Sequence, residues 1–395
     1  MIEHFHSRWL VQDAQEITPR ALLAVGQQGR VSGASKENGE TQGNVTDLGD
    51  VVIVPGYVNA HAHLELPDLG QSGSGEFVPW VGRVLKRRAQ LGIADYSAQV
   101  ESGAKRALAT GTTALGEVNS SGCGEAFLAQ FPLRTRLYRE LLDGDDGERT
   151  PEQRRRLALP FLEDLAGGLA PHAPHTVSDA LLEACARECR ARRLPLSIHW
   201  AETPEERDWL SRGVGPFAPF FKRSPSCSGL QRLARAGILD LPLTLVHGNH
   251  PEPGDLEELL RCGVGLVHCP GTHAYFDRPQ AQLEKWAELG LSVALGTDSL
   301  ASNGDLDMGR EMSLLRAQHP GLDPATVLEW ATRGGARALS LHNEIGDLAV
   351  GKWADFSAVD AAGMESEADV LEALTGARPE VLGVWIAGRQ VWTKQ

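Results

Sequence analysis

Three textures follow one another when the chain is read for its apolar and polar positions. Residues 1–50 hold short alternating stretches, at 9–12 and 21–25, separated by the polar segment GASKENGETQGNVTDLG, a spacing that predicts strands joined by turns. From about Tyr57 the rhythm changes. Short apolar runs at 56–61, 112–118, 135–141, 169–172, 195–199, 243–247, 264–268 and 292–297 alternate with helical stretches at 97–109, 178–192, 204–212, 253–261, 280–289 and 308–318, where apolar positions recur every three or four residues. Eight strands with crossover helices predict a parallel sheet, either closed as a (β/α)8 barrel or open and doubly wound. After a helix predicted at 324–340 the alternation turns β-like again. The chain is therefore expected to divide at 1–56, 57–343 and 344–395, its two ends pairing in one small β-domain beside the α/β body.

Composition narrows the function. The 395 residues include 38 basic and 52 acidic side chains, a formal charge of −14, which argues against nucleic-acid phosphates or an anionic membrane as the partner and favours a small-molecule substrate. There is no apolar run of ~18 residues to cross a bilayer. The start, MIEHFHSRWLVQ, lacks the basic-then-apolar order of a secretion signal, so a cytoplasmic location is expected. Six cysteines form no CxxC pair and read as free thiols. Homo-oligomerisation is left open.

The ends of the predicted strands carry the chemistry. The stretch VVIVPGYVNAHAHLEL, residues 51–66, ends in His61 and His63, whose i, i+2 spacing on a strand points both imidazoles the same way, so that they can grip one cation. Strand four ends in His172, strand five in His199 followed by Glu202, strand six in His247, strand seven in His268 and strand eight in Asp298. Any one of these, taken alone, is more often structural than functional. Packing alone explains the set poorly, because buried imidazoles and carboxylates cost on the order of several kcal/mol unless paired or ligated, and the carboxyl ends of parallel strands are where such sheets carry sites.

With these residues in place the chain resembles the amidohydrolase superfamily: the HxH of strand one, SIHWAET, VHGNH, VHCP, ALGTDSLAS and the tail IGDLAVGKWADF all match. The resemblance implies a distorted (β/α)8 barrel with a small β-sandwich from both chain ends, and one divalent metal held by His61, His63, His199 and Asp298. Binuclear members bridge two metals with a carboxylated lysine at the end of strand four; here no lysine occurs between Lys105 and Lys222, which implies a mononuclear site. Three imidazoles and a carboxylate suit catalytic zinc with an open position, and iron(II) fits the same ligands. Zinc lowers the pKa of a bound water to about 7. By the same resemblance Glu202 is the proton shuttle to a ring nitrogen, Asp298 also orients the attacking water, and His247 stabilises charge on the developing oxyanion. His268 is either catalytic or a support for the site.

The mononuclear site, HxxE and strand-six histidine resemble the branch that deaminates nucleosides and nucleobases. His172 of PHAPHT and Ser302 of TDSLAS match positions that bind the sugar in members acting on adenosylhomocysteine or methylthioadenosine, although His175 stands where those members have a tyrosine. His61-Ala-His-Leu-Glu65 followed by a Gly/Ser-rich loop and Phe77-Val-Pro-Trp80 resembles the aminodeoxyfutalosine deaminases of menaquinone biosynthesis, whose substrate is an adenosine bearing a benzoate arm. Glu65 would then bind the ribose hydroxyls. Arg139 would clamp the carboxylate or, equally, form an ordinary salt bridge to Glu140 or to a helix. Phe77 and Trp80 line the pocket or anchor the next helix, and the loop 68–76 has the composition of a lid. The function expected is hydrolytic deamination at the 6-amino group of an adenosine-like nucleoside, 6-aminodeoxyfutalosine first and adenosylhomocysteine or methylthioadenosine second. A nucleobase deaminase and an amide or chlorotriazine hydrolase are rivals on the same site. A catalytically silent metal-binding barrel is a rival from another class.

Overall fold

The computed structural model describes residues 2–36, 44–70, 76–144, 150–221 and 224–395. Eight parallel strands follow one another around a barrel in chain order: Tyr57–Ala62, Thr112–Asn119, Arg134–Leu141, Ala166–Pro171, Leu196–Trp200, Leu243–His247, Gly265–His268 and Val293–Leu295. Closure is made at the site itself. His61 O accepts from the amides of Thr297 (3.1 Å) and Asp298 (3.0 Å), and His63 N donates back to Asp298 O (3.2 Å), tying the first strand to the segment after the eighth. A closed barrel, not an open sheet, is what the alternation encodes here.

The last helical stretch covers the amino-terminal mouth. It runs as Pro324–Glu329, one wide turn of π-helix at Trp330–Gly334, and Gly335–Ala338. Gly334 and Gly335 permit the approach, since a Cβ on them would stand 2.2 Å from Val293 O and 2.6 Å from Val58 O. Tyr138 and Thr244 then donate their hydroxyls to Ala338 O at 3.4 and 3.1 Å. With this end filled by side chains, the open end is the carboxyl one, where strand termini can present polar groups.

Both chain ends meet in a second, eight-stranded sheet. Arg389–Thr393, Val381–Ile386, Phe356–Asp360, Val51–Pro55, Glu3–Asp13, Glu16–Val25 and Val31–Lys36 pair in that order, with Asn44–Asp47 alongside Glu3–Asp13. Its strands are joined edge to edge in one continuous sheet, closed over a core in which Phe356 stacks on Trp385 at 4.9 Å and meets Phe5 edge-on at 5.1 Å. The tail also contains helical turns, Glu367–Glu372 and Ala373–Ala377, where β alternation alone was expected. Ser366 caps them by accepting from Asp369 N, a capping box that the β-like flanks obscure.

Arg134, at the start of barrel strand three, holds the two bodies together. Its guanidinium grips Asp355 through Nε and through Nη2 at 3.0 Å, while Asp355 Oδ1 also accepts from Ala387 N at 2.8 Å. Asp355 is buried and Arg134 partly so. Replacing Asp355 by Ala strands the guanidinium and the amide, and about 2–4 kcal/mol of unfolding free energy is expected to be lost. Urea titration measures it; a change under 0.5 kcal/mol would show that the pair does not couple the bodies.

Candidate active site

His61 and His63 come from the end of barrel strand one, where a register shift between Asn59 and Ala62 turns the chain. Bulges of this kind re-aim side chains at sheet rims. His199 lies in strand five, His247 ends strand six and Asp298 follows strand eight. Ala201, His247 and Asp298 all adopt positive φ, at 49°, 78° and 58°, a conformation costly for non-glycine residues that recurs at functional sites.

These side chains converge. His63 Nε2 lies 3.2 Å from His199 Nε2, His61 Nε2 is 3.9 Å from Asp298 Oδ1, and the His61 ring is centred 4.9 Å from those of both His63 and His199. Two overlapping triads, His61–His63–Asp298 and His61–His199–His247, each offer ligand atoms within 4.8 Å of one another. His61 is fully buried, and neither of its ring nitrogens has a hydrogen-bond partner among the described residues. A buried imidazole so placed costs about 1–3 kcal/mol unless something else takes its lone pair. Burial, and then the neighbouring imidazoles, hold His61 and His63 well below the ordinary histidine range, so both rings are neutral at pH 7.

The surroundings orient the donors. His199 Nδ1 donates to the His172 carbonyl at 2.8 Å, which fixes the tautomer with Nε2 facing the cluster. Asp298 Oδ2 accepts from Thr272 Oγ1 (3.1 Å) and Ser302 Oγ (3.0 Å), leaving Oδ1 toward His61. Burial, then the nearby Glu202 charge, lifts the Asp298 carboxyl to about 7. A divalent cation would reverse that shift. Orphaned neutral imidazoles, a carboxylate with one free oxygen and hydrogen-bonded outer partners together fit one such ion.

Glu202 stands beside this cluster, its Oε2 3.7 Å from His247 Nε2 and its Oε1 accepting from Arg278 Nη2 at 2.9 Å. Burial works to raise its pKa, but His247 and Arg278 outweigh it and hold the carboxyl at about 2. Since burial keeps the His247 imidazole neutral, down at about 3, the standing positive charge is the guanidinium. The acidic run TPEE is not a solvated helix start throughout. Glu206 is buried and accepts from the amides of Ala201 (3.2 Å) and Glu202 (2.9 Å), so it shapes the loop that presents Glu202.

The residues expected to touch substrate separate. His172 remains at the cluster, its ring 4.8 Å from that of His199 and its Nδ1 on Thr176 Oγ1 at 2.8 Å. Glu65 is fully buried and accepts from the amides of Ser120 (3.2 Å) and Ser121 (3.0 Å) and from Arg88 Nη2 (3.3 Å). Trp80 sits in an aromatic wall with Phe77 and Phe276, its indole N–H already donated to Ala301 O at 2.8 Å. Of the lid sequence, residues 71–75 lie outside the described residues.

Two expectations are corrected. Arg139 does not reach the pocket: it donates to the carbonyls of Arg156 (3.0 Å), Leu159 (2.8 Å) and Pro160 (3.1 Å) outside the barrel, because strand alternation turns Glu140 inward and Arg139 outward. Ser302 is fully buried behind Asp298, spent on its carboxylate rather than presented to a sugar. His268 is likewise buried with no partner for its ring nitrogens among the described residues, and it packs against His273 and Trp286. Arg88, Glu140 and Arg278 are the site residues that motif reading missed. Glu140 and His172 offer ligand atoms within 4.8 Å of each other and of His199. For Glu140 the signal was available, since a strand that puts one neighbour out puts the other in.

The amidohydrolase family model matches residues 52–391, and the chain belongs to that family. It is accordingly a hydrolase acting on carbon–nitrogen bonds. Its curated relatives include the aminodeoxyfutalosine deaminase of Deinococcus radiodurans, 31% identical over 314 residues that cover 73% of each chain. A 5-methylthioadenosine/S-adenosylhomocysteine deaminase of Moorella thermoacetica is 28% identical over 334 residues, 80% of this chain and 75% of that one. Among solved structures, the aminofutalosine deaminase of Helicobacter pylori in complex with methylthio-coformycin superposes with a TM-score of 0.85 at 21% identity, covering 99% of this chain and 100% of that one. An adenosine deaminase of Xanthomonas campestris with bound zinc gives 0.83 at 24%, covering 99% and 93%.

The buried position of Ser302 generates a test. Ser302→Ala removes one of two donors to Asp298 Oδ2, so zinc affinity is expected to fall about 10- to 100-fold while the preference for ribose over deoxyribose stays as it was. Competition against a chromophoric chelator and paired kinetics measure the two. A sugar preference lost with metal affinity intact would put Ser302 back in the pocket.

Proposed function

We propose that the protein is a metal-dependent deaminase that replaces the 6-amino group of an adenosine-like nucleoside with oxygen and releases ammonia. The observation that carries the reading is one carboxylate, Glu202, set against His247 at the edge of a cluster built from His61, His63, His199 and Asp298. His61, His63, His199 and Asp298 would hold the cation. When bound, it supplies Lewis acidity and a water that ionises near neutral pH.

Glu202, an anion at neutral pH, accepts a proton from the attacking water and delivers it to the ring nitrogen next to the reacting carbon. That transfer keeps negative charge from accumulating on the purine as the carbon becomes tetrahedral. His247, kept neutral by burial, has one N–H, which can donate to the oxygen added at that carbon. His172 has Nδ1 engaged by Thr176, which leaves Nε2 for a substrate hydroxyl. The wall of Phe77, Trp80 and Phe276 supplies flat apolar surface for a base or an aromatic arm.

Within that class we favour 6-aminodeoxyfutalosine. The relative from Deinococcus supports it, as does a cation near the site: Arg88, beside Glu65 and Ser120, can take a carboxylate in the role first given to Arg139. Relatives named for 5-methylthioadenosine and S-adenosylhomocysteine support the second choice.

The zinc-loaded protein is to be assayed with 6-aminodeoxyfutalosine, methylthioadenosine and adenosylhomocysteine by the absorbance change on loss of the 6-amino group. The first is expected to give kcat/KM roughly tenfold or more above the others. Preference for a sulfur nucleoside selects the second choice, and no turnover of any 6-aminopurine nucleoside overturns the proposal. Glu202→Gln is expected to lower kcat about 10³-fold or more with metal content unchanged, as for a lost proton shuttle. Activity within tenfold of the parent would remove Glu202 from that role.

A further inference from the structure

Arg278 has no counterpart in the motifs that located the rest of the site. It follows the short helix Pro270–Tyr275 after barrel strand seven, and Asp277, at φ 48°, turns the chain so that the arginine points back to the barrel. Its side chain is 7% exposed. Nη2 donates to Glu202 Oε1 at 2.9 Å, the guanidinium lies 4.6 Å from the centre of the Phe276 ring and 5.5 Å from that of Phe77, and Nη1 is buried with no partner among the described residues.

The contact is one of two that hold Glu202. Asn249 Nδ2 donates to the Glu202 carbonyl at 3.1 Å, and Asn249 Oδ1 faces His273 Nδ1 at 3.2 Å. His273 Nε2 in turn donates to the carbonyl of Pro279, the residue after Arg278, at 2.8 Å. Main chain and side chain of Glu202 are thus held from two directions by elements that follow strands six and seven. A guanidinium packed against two neighbouring rings has few rotamers left, so it imposes a direction on the carboxylate it grips.

We infer that Arg278 is the positioning residue for Glu202, holding its carboxylate aimed at the reacting atoms so that the proton transfer needs no reorganisation. The inference rests on the deaminase reading above. Glu202 lies on a loop, three residues past His199 and free of a strand's constraint, and a carboxylate that must pass a proton between two atoms within one turnover depends on its rotamer being preset. Arg278 does this from outside the reacting atoms. Its loss would therefore damage the chemical step more than substrate binding.

The test uses the zinc-loaded protein, with the nucleoside it turns over best and with methylthio-coformycin, the ligand in the complex of the Helicobacter pylori enzyme. Arg278→Met is expected to lower kcat about 10²- to 10³-fold with KM within fivefold, and to weaken methylthio-coformycin by a similar factor in calorimetry. Arg278→Lys, which restores charge and one donor, is expected to recover about tenfold of the loss. In a Glu202→Gln background Arg278→Met is expected to weaken the analogue by less than about threefold, because the partner through which it acts is already altered. Full cost in that background, or kcat unchanged in Arg278→Met, overturns the inference and leaves the deaminase reading standing. If Arg278→Met fails to fold, Arg278→Gln and Arg278→Lys carry the same cycle. A parent protein that neither turns over a 6-aminopurine nucleoside nor binds the analogue overturns both.

Discussion

The constraint on which the rest depends is electrostatic: neutral imidazoles and a carboxylate, from opposite sides of the barrel, are buried against one another without enough hydrogen-bond partners of their own. His61 has none for either ring nitrogen among the described residues, and two Nε2 atoms face across 3.2 Å. Such a cluster is unfavourable unless a cation sits among the lone pairs. The protein keeps it by building outward. Thr272 and Ser302 secure Asp298, the His172 carbonyl secures His199, and closure of the barrel through His61 O makes the metal strand and the last strand a single hydrogen-bonded unit.

The same geometry separates jobs that would otherwise interfere. Glu202 and Asp298 are two buried carboxylates in one site, and their surroundings push them apart: Arg278 keeps the first ionised, while burial and the charge of Glu202 lift the second. With a cation in place Asp298 would be the anion that holds it, and Glu202 would stay separate from it as the proposed base. Positive φ at Ala201, His247 and Asp298 shows where the backbone was bent to reach this arrangement.

Much of the architecture was legible in the sequence because barrel strands alternate with helices at a regular spacing and every functional strand ends in a ligand-type residue. The structure brings His61, His63, His199, His247 and Asp298 together because strand ends are fixed by topology, with Glu202 on the loop just after strand five. What could not be read lay on segments without that anchor. Arg88 comes from the last turn of a helix, and Arg278 from a turn whose direction depends on Asp277. Arg139 was misplaced by one residue of alternation, and Ser302 by taking a short sequence separation from Asp298 to mean exposure to substrate when it meant support from behind.

The measurement that tests the central claim most directly is anomalous diffraction at the zinc edge from crystals of the metal-loaded protein. One strong peak is expected within bonding distance of His61, His63, His199 and Asp298, with Glu202 near it but not bound to it. A peak elsewhere in the molecule, or none while these four side chains keep their present positions, would contradict it.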